Sequence, residues 1–310
     1  EKRPLFRFAI KKNINVSNYE KLTVGKFFNF KDHFSEDRKF RKSQILKFLK
    51  SNNQNFEKEK KYFAEKFHSK KDPINFEIYA KHQKPNKLPK KWSSKEKNIV
   101  FFTSSDDEHL SFGKDMNPTF CKDQREILKE TSLIINKKKN FKLWIRVHPG
   151  WRNEKWFDRK FYQVLEKKYK NVNVIYPEDN TSSYAMLKNS FNVICFWSSL
   201  LVEATYWREK KSISLTRNDI SEFGVAKVPQ NLKEYKKLIF ISSKKNKNHK
   251  LRALKYMKFF LNAGSNIKYF KGSYETGYRF KNLDLDYNIT AKTFYLMGKL
   301  KEKFINHYLN

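Results

Sequence analysis

Between residues 144 and 215 the sequence alternates short apolar runs with amphipathic segments, and this rhythm limits the folds open to the chain. Each apolar run has the length of a strand, and the segments between them carry apolar residues at helical spacing. Strands that alternate with helices are typical of a parallel sheet with right-handed connections. We therefore predict an α/β fold with a Rossmann-type, doubly wound parallel sheet. The predicted strands span residues 99–103, 141–147, 172–176, 193–197 and 212–215.

Helices are predicted between these strands and after them. Asp123 can cap the first, and Ser182 or Ser183 opens a short one, because their side-chain oxygens accept from free N–H groups. The further predicted helices cover residues 161–169, 200–207, 232–239 and 251–261.

The strand and helix rhythm starts late in the chain and divides it into three predicted segments. Residues 1–97 are interpreted as an N-terminal helical and linker region, with helical patterns at 41–50 and 56–67. Residues 98–288 form the predicted Rossmann-like domain. Residues 289–310 are predicted to form a C-terminal helix, because their apolar residues recur at helical spacing.

The charge of the chain is strongly positive. The formal net charge is +35, from 67 Lys and Arg against 32 Asp and Glu. Such a charge attracts polyanions and anionic membranes, although lysines spread over solvated faces would give the same total. Cys121 and Cys195 have neither metal nor disulfide spacing, which fits a reducing cytosol. No apolar run is long enough to span a bilayer. We therefore expect a cytoplasmic location with peripheral contact on the inner face of the membrane.

The start of the chain also bears on this location. It opens at Glu1 without a charged-then-apolar leader, so we expect a fragment or a processed chain.

Polar side chains follow two of the predicted strands at the point where each strand ends. Arg146 and His148 follow the second strand, and period two places them on one face. In an open parallel sheet, ligands bind at the carboxyl ends of the strands. Pro149 fixes the backbone after His148, so the imidazole and the Arg146 guanidinium are candidates to bind phosphate. A His-Pro pair that occurs by chance is the alternative.

A serine pair follows the fourth predicted strand. Ser198 and Ser199 open a helix, and a helix N-terminus attracts anions through its free N–H groups and dipole. Glu203 lies one turn further on, where its carboxylate could accept from ribose hydroxyls. The alternatives are that Ser198 is only an N-cap and that Glu203 is favoured by the helix dipole.

An acidic loop follows the first predicted strand and contains Asp107 and Glu108. A carboxylate there could act as general base towards an acceptor hydroxyl, and a solvated turn is the alternative. The sequence has no glycine-rich dinucleotide fingerprint, no phosphate loop, no zinc-protease motif and no serine-hydrolase elbow. It has no metal-ligand spacing either, so we predict neither a cofactor nor a metal.

The motifs, taken in order, resemble those of the capsule polysaccharide biosynthesis glycosyltransferases. These look related to bacterial transferases that use CMP-activated Kdo, and the His-Pro and Ser-Ser pairs are also similar to motifs of bacterial sialyltransferases. The resemblance covers about residues 98–240. It rests on Phe-Phe-Thr-Ser-Ser-Asp-Asp-Glu at 101–108, Asp123-Gln124, Ile-Arg-Val-His-Pro at 145–149, Ser-Tyr-Ala-Met-Leu at 183–187, Ser198-Ser199 and Glu203-Ala204.

The resemblance implies a GT-B fold whose C-terminal domain, here residues 98–288, binds a nucleotide sugar without a metal. By the family pattern, His148 and the serine pair contact the donor phosphate and Glu203 contacts the ribose. The N-terminal region would then be a remnant of the acceptor domain, and a glycan or glycolipid would be the acceptor.

Two other functions stay open. A CDP-glycerol-type glycerophosphotransferase shares a His-Pro and a Ser-Ser in similar order. A basic nucleic-acid-binding protein would also explain the charge, but the sequence shows no module of interleaved basic and aromatic residues, so we expect no specific nucleic acid.

Overall fold

The computed structural model describes residues 3–23, 26–33, 37–67, 82–104, 118, 120–153, 158–196, 198–266, 270–273, 277–280 and 283–285. The candidate bases Asp107 and Glu108 and the predicted C-terminal helix at 289–310 lie outside these residues.

The described strands and helices lie between Arg3 and Leu285. The strands are β1 Ser17–Thr23, β2 Lys26–Lys31, β3 Lys97–Phe102, β4 Phe141–Arg146, β5 Val172–Ile175, β6 Asn192–Cys195, β7 Ser212–Ser214, β8 Ala226–Lys227, β9 Ser265–Asn266, β10 Phe270–Ser273, β11 Gly277–Phe280 and β12 Leu283–Leu285. The helices are α1 Arg3–Lys11, α2 Arg38–Lys50, α3 Glu57–Phe67, α4 Gln124–Asn136, α5 Arg159–Lys168, α6 Ser183–Asn189, α7 Leu200–Arg208, α8 Asp219–Glu222, α9 Leu232–Phe240 and α10 Lys247–Asn262, with a 3₁₀ helix at Pro149–Asn153.

Six strands form a parallel sheet in the order β5-β4-β3-β6-β7-β8. Counted along the chain, this is the order 3-2-1-4-5-6 of the doubly wound Rossmann sheet. After β3, the strands β4 and β5 are added on one side of it. The chain then crosses back, and β6, β7 and β8 are added on the other side. The predicted α/β class and the Rossmann-type parallel sheet are confirmed.

The sheet is buried on both faces, as parallel sheets require. Successive side chains of β3 alternate between two apolar clusters. Ile99 and Phe101 join one cluster, with residues of α4, α5 and α9. Val100 and Phe102 join the other, with residues of α2, α3, α6, α7, α8 and α10. Helices therefore cover both faces, and this explains why the strands read as nearly continuous apolar runs.

Several helices begin at side-chain caps. Asp123 accepts from the Glu126 N–H at 2.8 Å, and Ser182 accepts from the Ala185 N–H at 3.1 Å. Asn231 accepts from the Glu234 N–H at 2.9 Å and opens α9. The predicted caps at Asp123 and Ser182 are confirmed, and Ser183 is the first residue of α6.

The N-terminal region contains helices where the sequence predicts them and a hairpin where it does not. Strands β1 and β2 pair antiparallel, and β2 also pairs with β9. Ile45 of α2 and Phe63 of α3 are fully buried in the apolar cluster that contains Val100. The Phe63 ring stacks on Tyr206 of α7 with centroids 3.9 Å apart. Helices α2 and α3 therefore pack against the helices that cover this face of the sheet, and the predicted domain boundaries stay predictions.

Within the described ranges, no helix combines the length and the apolar character that a membrane span needs.

Candidate functional site at the carboxyl edge of the sheet

The candidate site lies at the topological switch point of the sheet, where the chain stops adding strands on one side of β3 and begins to add them on the other. Phe102 at the end of β3 pairs with Arg146 on one side and with Cys195 on the other. Helix α4, which follows β3, and helix α7, which follows β6, cover opposite faces of the sheet. This arrangement opens a crevice between the carboxyl ends of the two strands. Since neighbouring strands lie about 4.8 Å apart, the ends of β4 and β6 are about 10 Å apart.

His148 is held in one orientation at this edge. Its N–H donates to Thr103 Oγ1 at 2.9 Å, and its carbonyl accepts from the Trp151 N–H at 3.1 Å. The Gly150 N–H donates to the ring Nδ1 at 3.1 Å. Since Nδ1 is an acceptor, the neutral ring carries its proton on Nε2. Pro149 begins the 3₁₀ helix that supplies this contact, so the half-buried imidazole is held in an orientation in which Nε2 is its donor atom.

Arg146 and His148 lie in different environments. Strand β4 ends at Arg146, so the alternation of side chains that would place both residues on one face does not continue to His148. The Arg146 side chain is 1% exposed. Its guanidinium donates to the carbonyls of Tyr176 at 2.7 Å and Asp179 at 3.3 Å, and to Ser183 Oγ at 3.4 Å. Burial lowers the pKa of Arg146 to about 10, so it stays charged at neutral pH. The guanidinium therefore holds the connection between β5 and α6.

The two serines at the start of α7 have separate roles. Ser198 is half-buried, and its Oγ accepts from the Leu200 N–H at 3.2 Å. Ser199 is the N-cap residue, but its exposed side chain makes no capping hydrogen bond. The local backbone contact thus falls to Ser198, while Ser199 presents its hydroxyl at the positive end of the helix.

Glu203 is buried beneath the serine pair and is paired with a lysine from the N-terminal region. Its side chain is 2% exposed, and its Oε1 accepts from Lys66 Nζ at 2.8 Å. Its Oε2 has no hydrogen-bond partner among the described residues. Sequence reasoning missed Lys66, since no motif marks it and only the helical pattern of α3 places it on a buried face.

Two further contacts define the chemistry of this edge. Gln124 clamps the backbone after β3, because the Ser104 N–H donates to its Oε1 at 2.8 Å and its Nε2 donates to the Ser104 carbonyl at 3.0 Å. In the sequence, Asp107 and Glu108 follow Ser104 by three and four residues, outside the described ranges. Burial and the nearby Glu203 carboxylate raise the pKa of the Cys195 thiol, so it stays protonated and is a poor nucleophile.

Within the part of the chain that the structure describes, no three His, Cys, Asp or Glu side chains come together in a group that could hold a metal ion.

The fold and the residues at the carboxyl edge of the sheet together define a doubly wound α/β protein with polar side chains at its topological switch point. The chain matches no model of a known protein family and no curated protein. It is similar to the solved structure of Thermosulfurimonas dismutans KpsC, a beta Kdo 2,4 transferase, at 9% identity and a TM-score of 0.47, over 81% of this chain and 75% of that one.

Two other solved structures show a weaker likeness. The S. aureus MnaA–UDP co-structure is 16% identical with a TM-score of 0.35, over 57% of this chain and 51% of that one. A candidate UDP-N-acetylglucosamine 2-epimerase of Listeria monocytogenes is 13% identical with a TM-score of 0.36, over 58% of this chain and 50% of that one. The chain thus spans about half the length of these two proteins. At such identities and TM-scores, none of the three likenesses assigns an activity.

The buried pair predicts a large effect of removing one partner. Lys66→Met leaves the Glu203 carboxylate buried without a counter-charge, which should lower the free energy of unfolding by about 3–5 kcal/mol. Lys66→Met with Glu203→Met should recover most of this loss, because apolar replacement of a buried pair is often neutral. Urea unfolding followed by tryptophan fluorescence measures both.

The exposed pair of Lys60 and Glu57 supplies the control. Their side chains are 52% and 73% exposed at an N–O distance of 2.6 Å, so Lys60→Met should leave the free energy of unfolding nearly unchanged. A Lys66→Met variant no less stable than Lys60→Met would show that the buried pair is not a stabilising contact.

Proposed function

We propose that this chain is a glycosyltransferase that transfers a sugar from a nucleotide-sugar donor, with a CMP-activated sugar of the Kdo or sialic-acid type as the donor. The acceptor would be a capsule or other surface polysaccharide or a glycolipid, met at an anionic membrane. The observation that supports the proposal most is the switch point, where His148 and the start of α7 flank the end of β3. A nucleotide phosphate fits such a crevice.

The proposed chemistry is neutralisation of the leaving nucleotide. When the glycosidic bond to the donor phosphate breaks, negative charge grows on the phosphate oxygens. The Nε2–H of His148 and the hydroxyl of Ser199 are donors for that charge, and the dipole of α7 adds a partial positive charge. The Leu200 N–H is less available, because it already donates to Ser198 Oγ.

The remaining proposed residues act less directly. Arg146 would keep the donor site in shape through the loop that its guanidinium holds. Glu203 is assigned to a ribose hydroxyl by the resemblance alone, because in this structure its carboxylate is buried and paired with Lys66. Asp107 or Glu108 would take the proton of the acceptor hydroxyl as general base. The transfer is proposed to need no metal.

A CDP-glycerol-type glycerophosphotransferase is the second candidate, because its donor would also place a phosphate at the serine pair. The identity of the bound nucleotide separates the two. We therefore propose a thermal-shift screen with CMP, CDP, UDP and GDP in a buffer that contains EDTA. Because a ligand that binds only the native state stabilises it by about 2.7 kcal/mol at a hundredfold excess over Kd, the correct nucleotide should raise Tm clearly. CMP is the expected hit, and CDP would favour the second candidate. A protein that none of the four stabilises would contradict both.

His148 should be essential for transfer. We expect His148→Ala to abolish release of the nucleotide from the donor while Tm changes little, since the imidazole lies at a strand end and not in the core. His33→Ala is the matched control, because His33 is a half-buried histidine on the N-terminal segment, paired with Asp37 at 3.0 Å. Turnover by His148→Ala within a few-fold of the wild type would remove His148 from the catalytic assignment.

The two serines should separate binding from stability. Ser199→Ala should weaken nucleotide binding by about 1.5–3 kcal/mol, the value of a hydrogen bond to a charged group, without lowering Tm. Ser198→Ala should lower the stability by about 1 kcal/mol and leave the affinity unchanged. Isothermal titration and melting curves of both variants test this. An unchanged affinity in Ser199→Ala would show that the start of α7 is only structural.

A further inference from the structure

Basic side chains gather at and beside the amino end of β7, and this group is here called the amino-edge patch: Lys210, Lys211, Lys227, Lys245 and Arg252. Helix α7 starts at the carboxyl edge with the serine pair and ends beside this patch. Lys211 directly precedes β7, and Lys227 pairs in register with Ile213 of β7. The Asn246 N–H donates to the Glu209 carbonyl at 2.9 Å, which brings the start of α10 to the end of α7.

The cations of the patch lie within one another's electric fields. Burial and the charges of Arg208 and Lys245 lower the pKa of Lys210. Burial and the charges of Arg252 and Lys227 lower the pKa of Lys211. Like charges that share one surface repel one another, so an anionic partner that neutralises them would be attracted there.

Glu209 lies next to Lys210 in the chain, but its carboxylate is engaged by a lysine outside the patch. The Glu209 carboxylate already pairs with Lys250 at 3.3 Å. Arg208 adds a buried positive charge next to Lys210. The residue is 4% exposed, and its Nη2 donates to the Phe191 carbonyl at 2.5 Å. Its Nε and Nη1 have no hydrogen-bond partner among the described residues. The positive charge at this edge is therefore only partly compensated.

The exposed apolar side chains beside the patch indicate the kind of partner. Leu251 is 37% exposed between Lys250 and Arg252, and Ile241 is 52% exposed at the end of α9. Aliphatic side chains among cations suit the boundary between lipid headgroups and acyl chains. Single-stranded nucleic acid is instead bound on aromatic side chains that stack with bases.

We infer that the amino-edge patch is a docking surface for a bilayer of anionic phospholipids. The inference rests on the proposed function only for its consequence at the acceptor. Helix α7 has nine residues, so its serine end and its basic end are roughly 13 Å apart. A docked molecule holds its donor site on the side away from the bilayer. The acceptor is then the end of a growing glycan that extends from the membrane, and not a sugar attached directly to a lipid headgroup.

The test is co-sedimentation with vesicles of phosphatidylcholine alone and of phosphatidylcholine with phosphatidylglycerol, at low and high salt. The patch variant carries Lys211→Gln, Lys227→Gln and Lys245→Gln. Its matched control carries Lys122→Gln, Lys129→Gln and Lys160→Gln, three exposed lysines at and near α4 and α5 on the other face of the sheet. Both variants lose the same charge, and melting curves and nucleotide affinity are measured for both.

We expect the wild type to bind only the anionic vesicles and to release them at high salt, where screening is strong. Because each basic residue at an anionic surface contributes about fivefold in affinity, the patch variant should bind roughly a hundredfold more weakly. The control should stay within a few-fold of the wild type, and nucleotide affinity should be unchanged in both variants.

Three results would overturn the inference. They are a wild type that ignores anionic vesicles, an equal loss in the patch and control variants, and a patch variant that loses binding to a single-stranded oligonucleotide but keeps binding to vesicles. Vesicle binding that depends on the patch in a protein that no nucleotide stabilises would refute the proposed function and leave the docking surface in place.

Discussion

The complete burial of β3 is the constraint on which the rest of the structure depends. Its side chains from Ile99 to Phe102 are at most 3% exposed, and both of its edges are paired, with β4 and with β6. A strand without a solvent face can exist only if helices cover both sides of the sheet. The chain must therefore cross from one face to the other, and the reversal at β3 follows from this. The crevice of the candidate site is a product of the same reversal.

The elements that rest on local patterns were predictable from the sequence, and those that depend on distant partners were not. The strands of the central sheet and the caps of α4 and α6 are marked by apolar runs and by Asp123 and Ser182. The β1–β2 hairpin was missed, because the adjacent Phe27 and Phe28 break the alternation that identifies a half-buried strand. The order of the strands in the sheet is set by packing between segments far apart in the chain, which a single sequence does not specify.

The same distinction holds within the candidate site. His148 and Ser199 were predicted as edge residues from their positions after strands, and local backbone contacts hold them there. The burial of Arg146 depends on the connection that follows β5. Glu203 is buried by Lys66, which lies 137 residues earlier in the chain. The sequence motifs therefore predicted that these residues follow strands of the sheet. They could not predict which of their polar atoms already form hydrogen bonds or ion pairs within the protein.

Helix α7 is the element that connects these observations. It has nine residues and so is about 13 Å long. Its residues Leu201 and Val202 are buried in the apolar core, and its residue Glu203 forms an ion pair with Lys66 of α3. A short helix fixed in this way along its length moves as one body with the sheet. The serine pair at its start and Arg208 at its end therefore keep a constant separation. Whatever surface the basic end meets also sets the direction in which the serine end faces, so an orientation imposed at one edge of the sheet is transmitted to the other without any conformational change.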